Sequence, residues 1–159
     1  MGMNPGRRGS VQVAVVAAVA VGLVGGLGAF TFRYAEGLSY FSADPRACVN
    51  CHIMRDEYAS WQHGPHHAVA TCVTCHLPHT FVPKMLAKAE HGWNHSKAFT
   101  LQDFHEPIRI SARSAQHVQD NCVACHAEMV SELVHGSTTD QDAVRCVHCH
   151  RGVGHGARN

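Results

Sequence analysis

The longest apolar run of the chain lies near its start, at residues 11–32, where 22 residues pass without a charged side chain. At about 1.5 Å per residue, a helix of this length would be roughly 33 Å long, enough to cross a hydrocarbon core of roughly 30 Å. Arg7 and Arg8 come before the run, and the positive-inside rule then puts residues 1–10 in the cytoplasm. The pattern predicts a transmembrane anchor helix at residues 11–32 and a domain outside the cytoplasm at residues 33–159.

A cleaved signal peptide is the alternative interpretation of the same run. Its apolar region is normally about 7–15 residues long and is followed by a cleavage site of small residues. Here the small residues Gly22 and Gly26 lie inside the run, and aromatic residues follow them, Phe32 at its end and Tyr34 just beyond it. These features favour a retained anchor.

Beyond the anchor, the polar and apolar positions predict a mainly α fold with little regular secondary structure. Asp44 followed by Pro45 is typical of a helix start, with the aspartate as cap. Residues 81–96 have helical composition, and one face of that helix would carry Lys84, Lys88, His91 and His95. We expect mostly loop with one short helix at residues 97–121, a turn at 136–140 and an irregular tail after His150.

The cysteines point to the chemistry. All eight belong to four copies of Cys-x-x-Cys-His, at residues 48–52, 72–76, 122–126 and 146–150. This motif is the attachment signature of c-type haem. The copies predict covalent bonds from Cys48, Cys51, Cys72, Cys75, Cys122, Cys125, Cys146 and Cys149, and iron ligation by His52, His76, His126 and His150. Within each pair, 48–76 and 122–150, the first cysteines are 24 residues apart, which indicates a duplicated two-haem unit.

Cysteine and histidine together also form zinc sites. Four copies with histidine directly after the second cysteine, and no unpaired cysteine, favour four haems over zinc. Eleven histidines remain besides the four that end the motifs, so distal iron ligands are available. His67, five residues before Cys72, and His155, five residues after His150, are the first candidates. A formal net charge of +1 argues against a nucleic-acid partner.

An N-terminal membrane helix, four haem motifs and a methionine two residues after the first motif resemble the NapC/NirT family of tetrahaem membrane quinol dehydrogenases. The resemblance rests further on His67, the second motif, the Lys88-Ala-x-x-Gly92 segment and the fourth motif with His155. It implies that Met54, rather than His52, ligates the first iron, that Lys88 takes part in quinol binding, and that His67 and His155 are distal ligands. It also implies that one haem receives a lysine from a catalytic subunit. Where the family has an aspartate seven residues after the lysine, this chain has His95, a candidate proton acceptor or iron ligand.

The compact length favours the nitrite-reductase type of this family. The resemblance then implies a single-pass protein of the bacterial inner membrane with its haem domain in the periplasm. It would oxidise quinol, with menaquinol expected, and pass electrons to the catalytic subunit of a cytochrome c nitrite reductase, which makes ammonia. Two alternatives stay open: a membrane-tethered electron carrier without a quinol site, and quinol oxidation for a nitrate, trimethylamine-oxide or hydroxylamine system.

Overall fold

The computed structural model of the chain describes residues 5–131 and 145–156. Met1–Ser39 and Tyr40–Asn159 form two compact units. In the first unit, α1 (Pro5–Tyr34) is a single helix of 30 residues that continues past the apolar run at both ends. Its mean hydropathy reaches 2.4, and none of its most apolar stretch is buried. By length and composition, α1 is the one described helix that could cross a membrane.

The second unit is built from helices joined by short irregular connections. They are α2 (Arg55–Gln62), α3 (Cys72–His76), α4 (Phe81–Leu101), α5 (Ala112–Val130), α6 (Cys146–Cys149) and α7 (Gly152–His155), with 3₁₀ turns at Pro45–Asn50 and His52–Met54. A further 3₁₀ turn, Gly37–Phe41, begins in the first unit and ends in the second. No strand occurs among the described residues, so the expected mainly α fold is confirmed. The expected helix start is also present, because the Asp44 side chain accepts a hydrogen bond from the Arg46 backbone N–H.

Helix α5 connects three of the four haem motifs. The Asn121 side chain, 8% exposed, donates hydrogen bonds of 2.9 Å to the backbone carbonyls of Cys75 and Leu77. Gln119 is 3% exposed, and its Oε1 accepts a hydrogen bond of 2.9 Å from the Cys146 backbone N–H at the start of α6. A buried amide costs free energy unless its hydrogen bonds are made, and both of these serve neighbouring motifs. The second, third and fourth motifs are therefore joined through one helix.

Two expectations about secondary structure are wrong. Residues 97–121 are not mostly loop, because α4 continues to Leu101 and α5 covers residues 112–121. The polar and small residues of this stretch disguise its helical pattern, since the side chains that α5 buries are Ser114, Gln119 and Asn121. The tail is not irregular directly after His150, because Gly152–His155 forms α7. The turn expected at residues 136–140 lies outside the described residues.

Among its described residues, the second unit has almost no apolar core made by the polypeptide alone. In the described part of the chain, the buried apolar residues are Leu77 and Ala87, at 4% and 5% exposure. Domains of this size normally bury far more apolar surface to offset the conformational entropy that folding removes. Covalently attached porphyrins would supply that missing apolar mass, and the chain would wrap around them.

Candidate functional site

The sulfur atoms of the motifs lie next to one another in the same way in both pairs. The Cys48 and Cys72 side chains are hydrogen-bonded, and so are those of Cys122 and Cys146. In each case the first cysteine of one motif meets the first cysteine of the next. None of the eight cysteines is in a disulfide. Every thiol is therefore available for thioether formation, and each pair of motifs brings two attachment sites together.

The second motif has an imidazole opposite its histidine. The rings of His76 and His155 have centroids 6.0 Å apart. Two imidazoles bound to opposite sides of one metal ion, at about 2 Å each, have centroids roughly 6 Å apart. The pKa of His76 is lowered to about 4, first by burial and then by His155 and His91. His76 is therefore neutral at physiological pH, as a metal ligand must be.

His155 is held in the tautomer that ligation requires. Its Nδ1 lies 3.0 Å from the Glu57 backbone carbonyl and 3.4 Å from the Glu57 carboxylate. A carbonyl oxygen can only accept a hydrogen bond, so Nδ1 carries a proton, and in the neutral imidazole Nε2 is then the nitrogen with a lone pair for a metal. This is the usual arrangement of a histidine ligand and the group that orients it.

The third motif is matched by His66. Helix α5 is interrupted at His126, with φ −109° and ψ 18°, and the His126 ring lies 6.1 Å from that of His66. The Nδ1 of His66 donates to the Val153 backbone carbonyl at 3.1 Å, so Nε2 is the nitrogen that the neutral imidazole would offer to a metal. His66 and His155 therefore share two features: each ring lies about 6 Å from that of a motif histidine, and each Nδ1 is held by a backbone carbonyl.

His67, the residue predicted from the sequence, has different contacts. Its ring packs edge-on against Trp61, with centroids 5.9 Å apart, and its side chain is exposed. Trp61 in turn donates from Nε1 to the Ala70 carbonyl at 3.1 Å, which closes the loop that carries both histidines. Adjacent residues differ by only one position in their distance from Cys72, so spacing could not distinguish His66 from His67. These contacts favour His66.

The first motif has its methionine and its histidine in one 3₁₀ turn, His52–Met54. Met54 is half-buried and His52 is exposed. In the part of the chain that the structure describes, neither His52 nor His150 makes a ring contact with another imidazole. The first and fourth motifs therefore differ from the second and third, which each have a histidine opposite.

Lys88 lies beside the first motif. Its Nζ donates hydrogen bonds to the backbone carbonyls of Tyr40 and, at 3.1 Å, Ser42. The pKa of the Cys48 thiol is lowered to about 7, first by the hydrogen bond with Cys72 and then, against burial, by the Lys88 ammonium. Burial and the neighbouring Lys84 lower the pKa of Lys88 itself. An ammonium has three N–H groups, so Lys88 keeps one donor for a further partner.

His95, about two turns after Lys88 on α4, contacts the same tyrosine. The Tyr40 hydroxyl and the His95 Nδ1 are 3.0 Å apart. Tyr40 also lies near the first motif. Its pKa is raised chiefly by burial, and the neighbouring Cys51 and Cys48 thiols raise it further. Desolvation lowers the pKa of His95, so it is neutral at physiological pH. Lys88 and His95, which the sequence put on one helix face, therefore converge on Tyr40.

Comparison with known proteins decides the family. The model of the NapC/NirT cytochrome c family, N-terminal region, matches residues 8–159. The chain belongs to this family. The cytochrome c-type protein NrfH of Wolinella succinogenes is 41% identical over 89% of this chain and 83% of its own length. The cytochrome c nitrite reductase subunit NrfH of Nitratidesulfovibrio vulgaris is 30% identical over 76% of this chain and 72% of its own length.

A solved structure agrees with these relatives. The chain resembles one in the crystal structure of a cytochrome c nitrite reductase NrfHA complex bound to the inhibitor HQNO, with a TM-score of 0.60 and 27% sequence identity. The match covers 93% of this chain and 88% of the other. Membership of a cytochrome c family means covalently bound haem. The residues present fit haem, because free cysteine pairs, a neutral imidazole at His76 and a sparse apolar core occur together. Among the described residues, no three His, Cys, Asp or Glu side chains group as a metal-ion cage would need.

Proposed function

We propose that this chain is a membrane-anchored tetrahaem cytochrome c that oxidises quinol and passes the electrons to the catalytic subunit of a cytochrome c nitrite reductase. The two NrfH relatives and the NrfHA structure support the partner. Helix α1 anchors the chain in the inner membrane as a single span, with Arg7 and Arg8 on the cytoplasmic side. Residues 33–159 form the periplasmic haem domain.

The observation that carries the quinol site is the convergence of Lys88 and His95 on Tyr40 beside the first motif. Quinol oxidation releases two protons with its two electrons, so the site needs a hydrogen-bond donor for one oxygen and a base for a proton. Lys88 has one N–H left after its two backbone hydrogen bonds, and that donor holds the quinol oxygen. His95 is neutral and, when Nδ1–H donates to the Tyr40 hydroxyl, accepts a proton at Nε2.

The haems supply one-electron transfer, and the chain supplies their attachment, ligands and spacing. Met54 is the thioether ligand proposed for the first site, with His95 as proton acceptor rather than ligand. His76 with His155, and His126 with His66, hold the second and third sites. At the fourth site His150 would be joined by a side chain of the catalytic subunit, in keeping with its lack of an opposing imidazole in the described residues.

Quinol-dependent reduction of the detergent-purified protein tests the quinol site. A hydrogen bond to a charged group contributes about 1.5–3 kcal/mol, so Lys88→Met should lower the rate with a menaquinol analogue about 10- to 100-fold. Lys84→Met, on the same face of α4, is the matched control and should keep the rate within about threefold. Reduction by dithionite should be complete in both variants. If the wild-type protein is reduced by dithionite and not by quinol, the chain is a tethered carrier instead.

The partner is tested separately by purifying a tagged full-length chain from its native membrane under mild detergent. We expect a multihaem protein with nitrite reductase activity to co-purify. Recovery of a nitrate, trimethylamine-oxide or hydroxylamine system in its place would keep the quinol site and replace the proposed partner.

A further inference from the structure

Two segments far apart in sequence hold each other's histidines. The first is α2 with the turn that follows it, and the second is α7. The Glu57 carbonyl, on the first segment, accepts from His155 on the second. The Val153 carbonyl, on the second segment, accepts from His66 on the first. Each histidine thus receives its orientation from the backbone of the segment that carries the other.

The two segments touch most closely at a pair of glycines. Gly64 is buried, and a Cβ built on it would lie 2.8 Å from the Gly154 carbonyl oxygen, closer than real Cβ atoms approach a backbone atom. A Cβ on Gly154 meets no atom within 4 Å. The contact therefore requires glycine at residue 64, where a side chain would clash, but not at residue 154. A methyl group at residue 64 would push α7 away from α2.

A glycine also fixes the end of α7 directly after the histidine ligand proposed above. Gly156 has φ +69°, the left-handed region that glycine adopts without strain, and its N–H donates to the Gly152 carbonyl at 2.8 Å. The helix therefore ends directly after His155. The carboxylate of Glu57, 15% exposed, adds a second contact to that imidazole at 3.4 Å.

From these contacts we propose that the two segments form a reciprocal clasp, through which the distal ligands of the second and third haems are positioned together and cannot be set independently. The clasp consists of Glu57, Gly64, His66, Val153 and His155, and residue 154 takes part through its backbone alone. It rests on the ligand roles proposed above for His66 and His155. Its consequence is that one substitution where the two segments touch, at a residue that is not an iron ligand, alters two haems at once.

Electron paramagnetic resonance of the oxidised, detergent-purified protein tests the clasp, because each bis-histidine haem gives its own low-spin signal. Gly64→Ala should shift or weaken two low-spin signals together while all four haems remain attached by haem staining. Gly154→Ala is the matched control on the other segment of the same contact. Because its Cβ would meet no atom within 4 Å, both signals should stay in place. A change in one signal alone, no change, or equal changes in the two variants would overturn the clasp.

Ligand variants keep the proposal testable if Gly64→Ala does not accumulate. In His155→Ala, one low-spin signal should be lost and the signal that depends on His66 should shift as well, whereas an unshifted second signal would contradict the clasp. The same variants separate this proposal from the ligand assignment. If neither His66→Ala nor His155→Ala removes a low-spin signal, the assigned ligands are wrong; if each removes only its own signal, the ligands stand and the clasp does not.

Discussion

Removal of the Asn121 side chain should destabilise the haem domain by a predictable amount. Asn121→Ala deletes two hydrogen bonds of 2.9 Å, to the Cys75 and Leu77 carbonyls. A typical net contribution is about 0.5–1.5 kcal/mol for each hydrogen bond, so the loss is about 1–3 kcal/mol. Alanine has the better helix propensity, which returns about 0.5 kcal/mol. Leu77 is only 4% exposed, so water cannot readily replace the missing donor at its carbonyl.

The assay is guanidinium unfolding of the detergent-purified protein at 25 °C, followed by far-UV circular dichroism. Asn121→Ala should lower the midpoint without changing the slope, because the exposed surface of the unfolded chain is nearly the same. Asp120→Ala is the matched control: it removes a side chain of similar size from the preceding position of α5, where Asp120 is exposed and accepts a hydrogen bond of 2.9 Å from Gln116. Substitutions of exposed residues normally change the free energy of unfolding by less than about 0.5 kcal/mol. If the two variants unfold with the same free energy, Asn121 does not join the second motif to the third.

Three further predictions concern the first haem and the quinol site. Met54→Leu should change the absorption and resonance spectra of one haem and leave the other three unchanged, because the thioether is lost and the apolar volume is kept; four unchanged haem spectra would exclude Met54 as ligand. His95→Ala should lower the rate of quinol oxidation at least 10-fold with little effect on reduction by dithionite, as expected for loss of a positioned base; equal effects on both rates would remove His95 from the quinol site. Tyr40→Phe keeps the ring and loses the hydroxyl that lies 3.0 Å from His95, so the rate with quinol should fall about 3- to 10-fold. Lys88 bonds to the Tyr40 backbone, which this change keeps, so the Michaelis constant for quinol should stay within about twofold. A larger increase would contradict the assignment of quinol binding to Lys88 and proton transfer to His95.

The features that sequence determines here are local. A haem motif is complete within five residues, so four copies of Cys-x-x-Cys-His identify the attachment sites without any tertiary information. The apolar run predicts a long helix by its length alone, and α1 is that helix. The cap of the turn at Pro45–Asn50 is equally local, because the Asp44 side chain reaches a backbone N–H only two residues away. Lys88 and His95 share a face because they are seven residues apart on one helix.

Only the tertiary structure decides which residue each of these groups meets. His66 meets a carbonyl 87 positions away, His155 one 98 positions away, and His95 a hydroxyl 55 positions away. No periodicity within a helix predicts partners so far apart in the chain. The sequence made His67 the candidate, and only the loop closed by Trp61 shows that His66 and His67 have different neighbours. The polar residues buried in α5 were missed for the same reason, since Gln119 and Asn121 are buried because they serve other motifs. Covalent chemistry is local in the chain, whereas ligand pairing and proton transfer depend on segments that meet only when the chain folds.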